Sequence, residues 1–204
     1  MSEHAEIWRQ YYEKSLTRKH NPRTEFAVKL NDSNISIAVD CGCGTGADIA
    51  YLAQAGYQVI GFDLNQDSVE ICQARFACNS LVDIECASFD NFTFPRSGVI
   101  TANSSLFFAT PKTFHQMWKR LTDSLEIGGV FAGDFMGVKD TWAQGYRSDI
   151  TPFTEAQVLA LFSEFDVVRF RELDEDGMTA IGKEKHWHVF SVVAIKRTPS
   201  KTER

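Results

Sequence analysis

At 204 residues, 44% hydrophobic and 24% charged, the chain is long enough to bury a substantial core and holds no polar or low-complexity block of the kind that stays disordered. A formal net charge of -6 argues against a polyanionic partner, because phosphate backbones are held by clustered Lys and Arg, so no nucleic acid is expected. Five cysteines, an odd number, with no secretory leader and no apolar run near the roughly 20 residues of a bilayer span, point to a reduced, cytoplasmic protein with no membrane partner.

In chain order, residues 6–20 place Ile7, Tyr11 and Leu16 among charges, which predicts a helix lying on the main body and ended by Asn21-Pro22. A second helical stretch covers roughly 23–31 before the polar turn Asn31-Asp32-Ser33-Asn34. Ser36–Asp40 is a short apolar strand, followed by Gly42, Gly44 and Gly46, a helix with Ile49, Leu52 and Ala53 on one face, and a stop at Gly56. Tyr57–Asp63 is the next strand, and Asn65 or Asp67 caps the helix that carries Val69, Cys72 and Phe76. Further strands are predicted at Val82–Ala87, Val99–Ala102 and Val130–Phe135, with an amphipathic helix over Thr113–Ile127 that Gly128-Gly129 ends. Thr154 and Gln157 form a capping box, with Phe153 and Val158 as its hydrophobic staple. Asp166–Leu173 and His186–Lys196 are two long strand-like runs joined by an acidic loop from about 174 to 185, so they pair as an antiparallel hairpin. The fold expected is a doubly wound α/β sheet, mostly parallel, with helices on both faces and a C-terminal antiparallel hairpin; one domain covers residues 1–204, with 1–34 as a helical cap.

In such a sheet the ligand sits at the carboxyl ends of the strands, where glycine lets the first strand-to-helix loop approach it closely. Asp40-Cys41-Gly42-Cys43-Gly44-Thr45-Gly46 has that form, and Asp63 ends the next strand where a carboxylate can accept both ribose hydroxyls of an adenosine. Gly42-x-Gly44-x-x-Ala47 also satisfies the dinucleotide fingerprint, so the glycines leave an NAD-dependent oxidoreductase open. Asp40, which would repel a pyrophosphate but helps hold an ammonium, favours a sulfonium cofactor. Gly46, one residue early for a dehydrogenase, and the terminal hairpin point the same way.

Through AVDCGCGTG (38–46), VIGFD (59–63), VITANSSLFF (99–108) and LEIGGVFAGDF (125–135) the sequence resembles the class I S-adenosylmethionine-dependent methyltransferases. The resemblance implies a seven-stranded sheet whose last strand is antiparallel. It implies that Gly42, Cys43, Gly44, Thr45 and Gly46 bind the methionine moiety and Asp63 the ribose. Leu64 and the Ser88-Phe89 segment would touch the adenine, and Asn103 and Ser104 the sulfonium side. The family often has an acid just after the third strand, a place that either Ser88 or Asp90 could take here. GDFMGVKDTWA (133–143), ITPFTEAQV (150–158) and GKEKHWHVFSVVAIK (182–196) are most similar to small-molecule members of the tellurite-resistance type.

No metal is expected: Cys41 and Cys43 lack a second pair at zinc-site spacing, and His186 and His188, which share one face of a strand, lack a clear third ligand beyond His115 or Asp134. Trp142, Tyr146 and Arg147 fall in the loop after the fifth strand, a usual place for substrate contacts. Trp8, Tyr11, Tyr12 and Arg23 suit either a lid over the cofactor or plain packing. Methyl transfer to a thiol, amine or chalcogen nucleophile is an in-line displacement that needs alignment more than a catalytic base. Candidate acceptor-side residues are Phe107, Phe108, Arg147, His186 and His188. A non-catalytic S-adenosylmethionine-binding protein is the other alternative.

Overall fold

The computed structural model describes residues 3–146 and 150–198, with only the backbone for residues 3–6 and 146. Two helices, α1 (Glu3–Ser15) and α2 (Pro22–Leu30), precede the sheet. Asn21-Pro22 begins α2 instead of ending the first helix, because the Asn21 side chain accepts the Arg23 backbone N–H at 3.0 Å and Pro22, with its fixed φ, occupies the first turn.

The next elements are β1 (Ile37–Cys41), α3 (Ala47–Gln54), β2 (Gln58–Asp63), α4 (Gln66–Phe76), β3 (Val82–Cys86) and β4 (Ser97–Ala102). α3 stops at Gly56, whose φ of 89° lets Tyr57 N donate to Leu52 O and Gly56 N to Ala53 O, the paired bonds that close a helix end. Asn65 caps α4 by accepting from Asp67 N at 3.0 Å. Beyond them lie α5 (Phe114–Ser124), β5 (Leu125–Gly137), a two-residue β6 (Pro152–Phe153), α6 (Glu155–Ala160), β7 (Phe165–Met178) and β8 (Glu184–Lys196).

The sheet order is β3-β2-β1-β4-β5-β8-β7, with β6 added in parallel to the end of β5. β8 is antiparallel to both β5 and β7, and the other pairings are parallel. Two elements run longer than expected. The amphipathic helix ends at Ser124 because Leu125 already pairs with Ser97, so Gly128-Gly129 lies within β5. The acidic segment 174–178 continues β7, pairing Asp174 with His188 and Asp176 with His186, which shortens the hairpin turn to residues 179–183.

Strand alternation sorts the core into two layers. Val39, Cys41, Ile100, Phe131 and Phe135 face α5 and α6, whereas Ala38, Val59, Val99, Val130 and Ala132 face α2, α3 and α4. Phe153 and Val158 join the first layer, and both hydrogen bonds of the Thr154 capping box form. β1 lies inside the sheet between β2 and β4, with Asp40 opposite Gly61 of β2 and Thr101 of β4. The chain order reverses there, which opens the crevice at the strands' carboxyl ends.

Candidate active site

The loop after β1 is built on three glycines with left-handed backbones, Gly42 (φ 67°), Gly44 (φ 53°) and Gly46 (φ 77°). A side chain at 42 would collide with Ser105, at 2.4 Å, and one at 46 with Phe76, at 2.6 Å, whereas nothing lies within 4 Å of a Cβ at 44. The space over Gly44 is therefore open for a ligand to approach the backbone. α4 clamps the loop from outside: Ser68 Oγ donates to Gly44 O at 2.6 Å and Arg75 Nη1 to Thr45 O at 2.6 Å. Asp63, at the end of β2, accepts Gly44 N–H at 3.0 Å and Asn65 N–H at 2.9 Å, which aims its carboxylate at the loop. Cys43 is buried, and neighbouring Cys72 together with burial raises its thiol pKa. Cys41 packs in the opposite layer, so the two thiols do not converge.

Asp40 is buried beneath the loop and accepts Thr101 Oγ1 at 2.7 Å. Burial, with Asp48 and Asp63 nearby, holds its carboxyl well above the usual carboxylate range. A cation bound at the loop would relieve this accumulation of acid, and a pyrophosphate would add to it. Asp48 Oδ1 accepts from Asn21 N and Thr24 Oγ1, and its Oδ2 accepts from Asn103 Nδ2 at 3.1 Å. Arg23 donates to Asn103 Oδ1, Ser191 Oγ and Asp134 Oδ2, and Asp134 in turn accepts Ser104 N–H at 3.0 Å. This network ties α2 to the end of β4 and to β5 and the middle of β8. It packs Arg23 as a strut between α2 and the sheet.

A cavity of about 610 Å³ opens beside the loop, between α1, the turn Leu106–Phe108, the turn Trp142–Tyr146 and the tip of the β7–β8 hairpin. Its aromatic wall comes from Trp8, Tyr11, Phe107, Phe108, Trp142 and Trp187. Lys185 Nζ sits 3.8 Å from the Trp142 ring centroid and 3.9 Å from that of Trp187, and its ammonium meets Asp140 Oδ1 at 2.5 Å. Burial lowers the Lys185 pKa from 10.5, opposed by Asp140. Asp140 also accepts Trp142 N–H and His188 N–H, so one buried carboxylate fixes both the turn and the strand that form this wall. Ser15 joins the two halves of the site: it lines the cavity, and its carbonyl accepts Thr45 Oγ1 of the glycine loop at 3.0 Å.

Residues 38–129, a little under half of the chain, match a family model described as a methyltransferase domain. That segment is similar to a methyltransferase domain. Solved structures of like fold include TehB from Haemophilus influenzae, at TM-score 0.73 and 15% identity over 89% of this chain and 64% of that one. The N-methyltransferase NodS from Bradyrhizobium japonicum, in complex with S-adenosyl-L-homocysteine, gives TM-score 0.65 at 16% identity, covering 93% and 98%. The 1,6-didemethyltoxoflavin-N1-methyltransferase from Burkholderia thailandensis, with S-adenosylhomocysteine bound, gives 0.60 at 17%, covering 97% and 92%. The chain thus spans less than two thirds of the TehB chain. No curated protein matches it by sequence.

Several sequence candidates fall outside the cavity. His186 and His188 do share a face, but it is the opposite one, since Lys185 and Trp187 take the cavity side of β8. His186 sits between Asp174 and Asp176, at 2.8 Å from each. His188 Nδ1 accepts Lys139 N–H at 3.1 Å, so in the neutral ring Nε2 carries the proton that it donates to Glu172 at 2.9 Å. Glu172, Asp174 and His188 bring ligand atoms within 4.8 Å of one another, but that proton occupies the atom a metal would need. Phe89 turns its ring into the core against Phe62, 5.3 Å between centroids, while Leu64 is exposed. Asp90 accepts from Thr110 and Thr113 at 2.6 Å each, which ties it to the start of α5, and Ser88 bonds Asn91. Arg147 lies outside the described residues. Sequence reasoning missed Asp48, Asp140, Lys185 and Trp187, although strand alternation already sets Lys185 and Trp187 apart from the histidines. No helix among the described residues is long and apolar enough to cross a membrane.

Proposed function

We propose that the chain transfers a methyl group from S-adenosylmethionine to a small-molecule acceptor held in the aromatic cavity. The carrying observation is the Ser15–Thr45 link, which sets a glycine loop suited to a cationic adenosine cofactor against a cavity of small-molecule size. When bound, the cofactor supplies an electrophilic methyl on a positive sulfur that leaves as a neutral thioether. The open backbone of Gly42, Cys43, Gly44, Thr45 and Gly46 receives its amino-acid part, and Asp40 answers the ammonium through the loop or a water. Asp63 accepts the ribose hydroxyls. Leu64 and the backbone of Ser88 and Phe89 flank the base, and Asn103 and Ser104 border the sulfonium side.

Phe107 and Phe108, with Trp142 and Trp187, orient the acceptor and exclude water. The acceptor brings its own lone pair, as a thiol, amine or chalcogen nucleophile does, and a group that arrives unprotonated needs no base. Residues 1–34 act as a cap on a single domain. Calorimetry with S-adenosylhomocysteine and a homocysteine-release assay across thiols, amines and selenium or tellurium oxyanions test this. Thermal stabilisation by NADH with none by S-adenosylhomocysteine would replace the reading with a dinucleotide-dependent oxidoreductase.

A further inference from the structure

The charge around the cavity opposes the charge of the chain. The protein carries a net charge of -6, yet Lys14, Arg18, Lys183 and Lys185 line the cavity against a single acid, Glu184. Lys185 is satisfied by Asp140 and two indole faces. The other three are not: among the described residues, no carboxylate lies within ion-pair distance of Lys14, Arg18 or Lys183. They stand on two sides of the mouth, Lys14 in the last turn of α1 and Arg18 in the turn just beyond it, and Lys183 at the hairpin tip. Like charges gathered around a low-dielectric cavity raise its positive potential, which an entering anion relieves. The wall between them is aromatic, its Trp142 and Trp187 rings inclined at 57°, and about 610 Å³ accommodates a ring-bearing molecule.

From this, and resting on the function proposed above, we infer that the acceptor is a flat aromatic molecule bearing a carboxylate, its ring against Trp142 and Trp187 and its acid at Lys14, Arg18 and Lys183. A cationic amine would meet the rim's repulsion, and a bare oxyanion would leave the aromatic wall uncovered. Carboxylate and ring together use both features.

The test is calorimetric titration of the full chain with 2-naphthoate and with its neutral isostere 2-naphthamide. Naphthoate is expected to bind about tenfold more tightly at low salt, with the gap closing as ionic strength rises. The triple substitution Lys14→Gln, Arg18→Gln, Lys183→Gln should erase the gap, and Trp187→Ala should weaken both ligands. Equal or tighter binding of the amide, a gap that survives the triple substitution, or no binding of either at millimolar concentration would overturn the inference. S-adenosylhomocysteine is titrated into the same preparation. Its binding without naphthoate selectivity would sink this inference alone, whereas its failure to bind would remove the methyltransferase reading itself.

Discussion

Gly44 donates its backbone N–H to Asp63 Oδ2 at 3.0 Å, joining the loop after β1 to the tip of β2. One carboxylate thereby holds the loop's shape, and on the proposed function it also accepts the ribose hydroxyls. Asp63→Ala should weaken S-adenosylhomocysteine binding by about 1–3 kcal/mol, the scale of lost hydrogen bonds to a charged group. Calorimetry measures it, and unchanged affinity would remove Asp63 from the cofactor site.

Gly42 and Gly44 separate two effects that glycine loops usually mix. Gly42→Ala places a methyl 2.4 Å from the Ser105 Cβ on a left-handed backbone and should lower stability by about 2–4 kcal/mol. Gly44→Ala meets no atom within 4 Å and should lower stability by only about 1 kcal/mol, while still obstructing the cofactor. Chemical denaturation paired with cofactor titration distinguishes them: equal stability losses would contradict the loop geometry.

Lys185 and Asp140 form a buried pair, their side chains 2% and 0% exposed. Lys185→Met leaves Asp140 without its cation and should destabilise the fold by about 3–5 kcal/mol. The two indoles lose the ammonium between them, so tryptophan fluorescence should shift in parallel with the fall in melting temperature. An unchanged melting temperature would show that the pair is not buried as described.

His186 is held by Asp176 and Asp174, which raise its pKa above the ordinary 6.5. A raised folded value means that the stabilisation from the charged ring is fully present below about pH 6.5 and is lost as pH climbs through the folded pKa. An NMR titration of the imidazole should therefore show a midpoint above 6.5, and Asp176→Asn should bring it back down. A wild-type midpoint at or below 6.5 would contradict the bridge.

The glycine loop was legible in sequence because its demands are local: glycines where φ must be positive and an acid at a strand end. The cavity was not. Alternation along β8 separates Lys185 and Trp187 from His186 and His188, but which pair meets the cavity depends on the β5 and β7 partners and on a turn 45 residues away, from which Asp140 reaches Lys185. The histidines drew attention by their chemistry, and the register set them against acids of β7. Asn21-Pro22 misled for a related reason, since a proline after an asparagine can close one helix or open another, and the Asn21 Oδ1 bond to Arg23 N decides it. The network of Arg23, Asn103, Asp134 and Ser191 spans 168 residues of chain and has no short-range signature.

Lys185 and Trp187 stand at the start of β8, far along the chain from the glycine loop, and the two regions touch the site through separate backbones. On the proposed function, variation at the hairpin tip alters the acceptor while the glycine loop is inherited unchanged. Related chains that keep Gly42–Gly46 and Asp63 but differ at 178–187 should have diverged in acceptor alone.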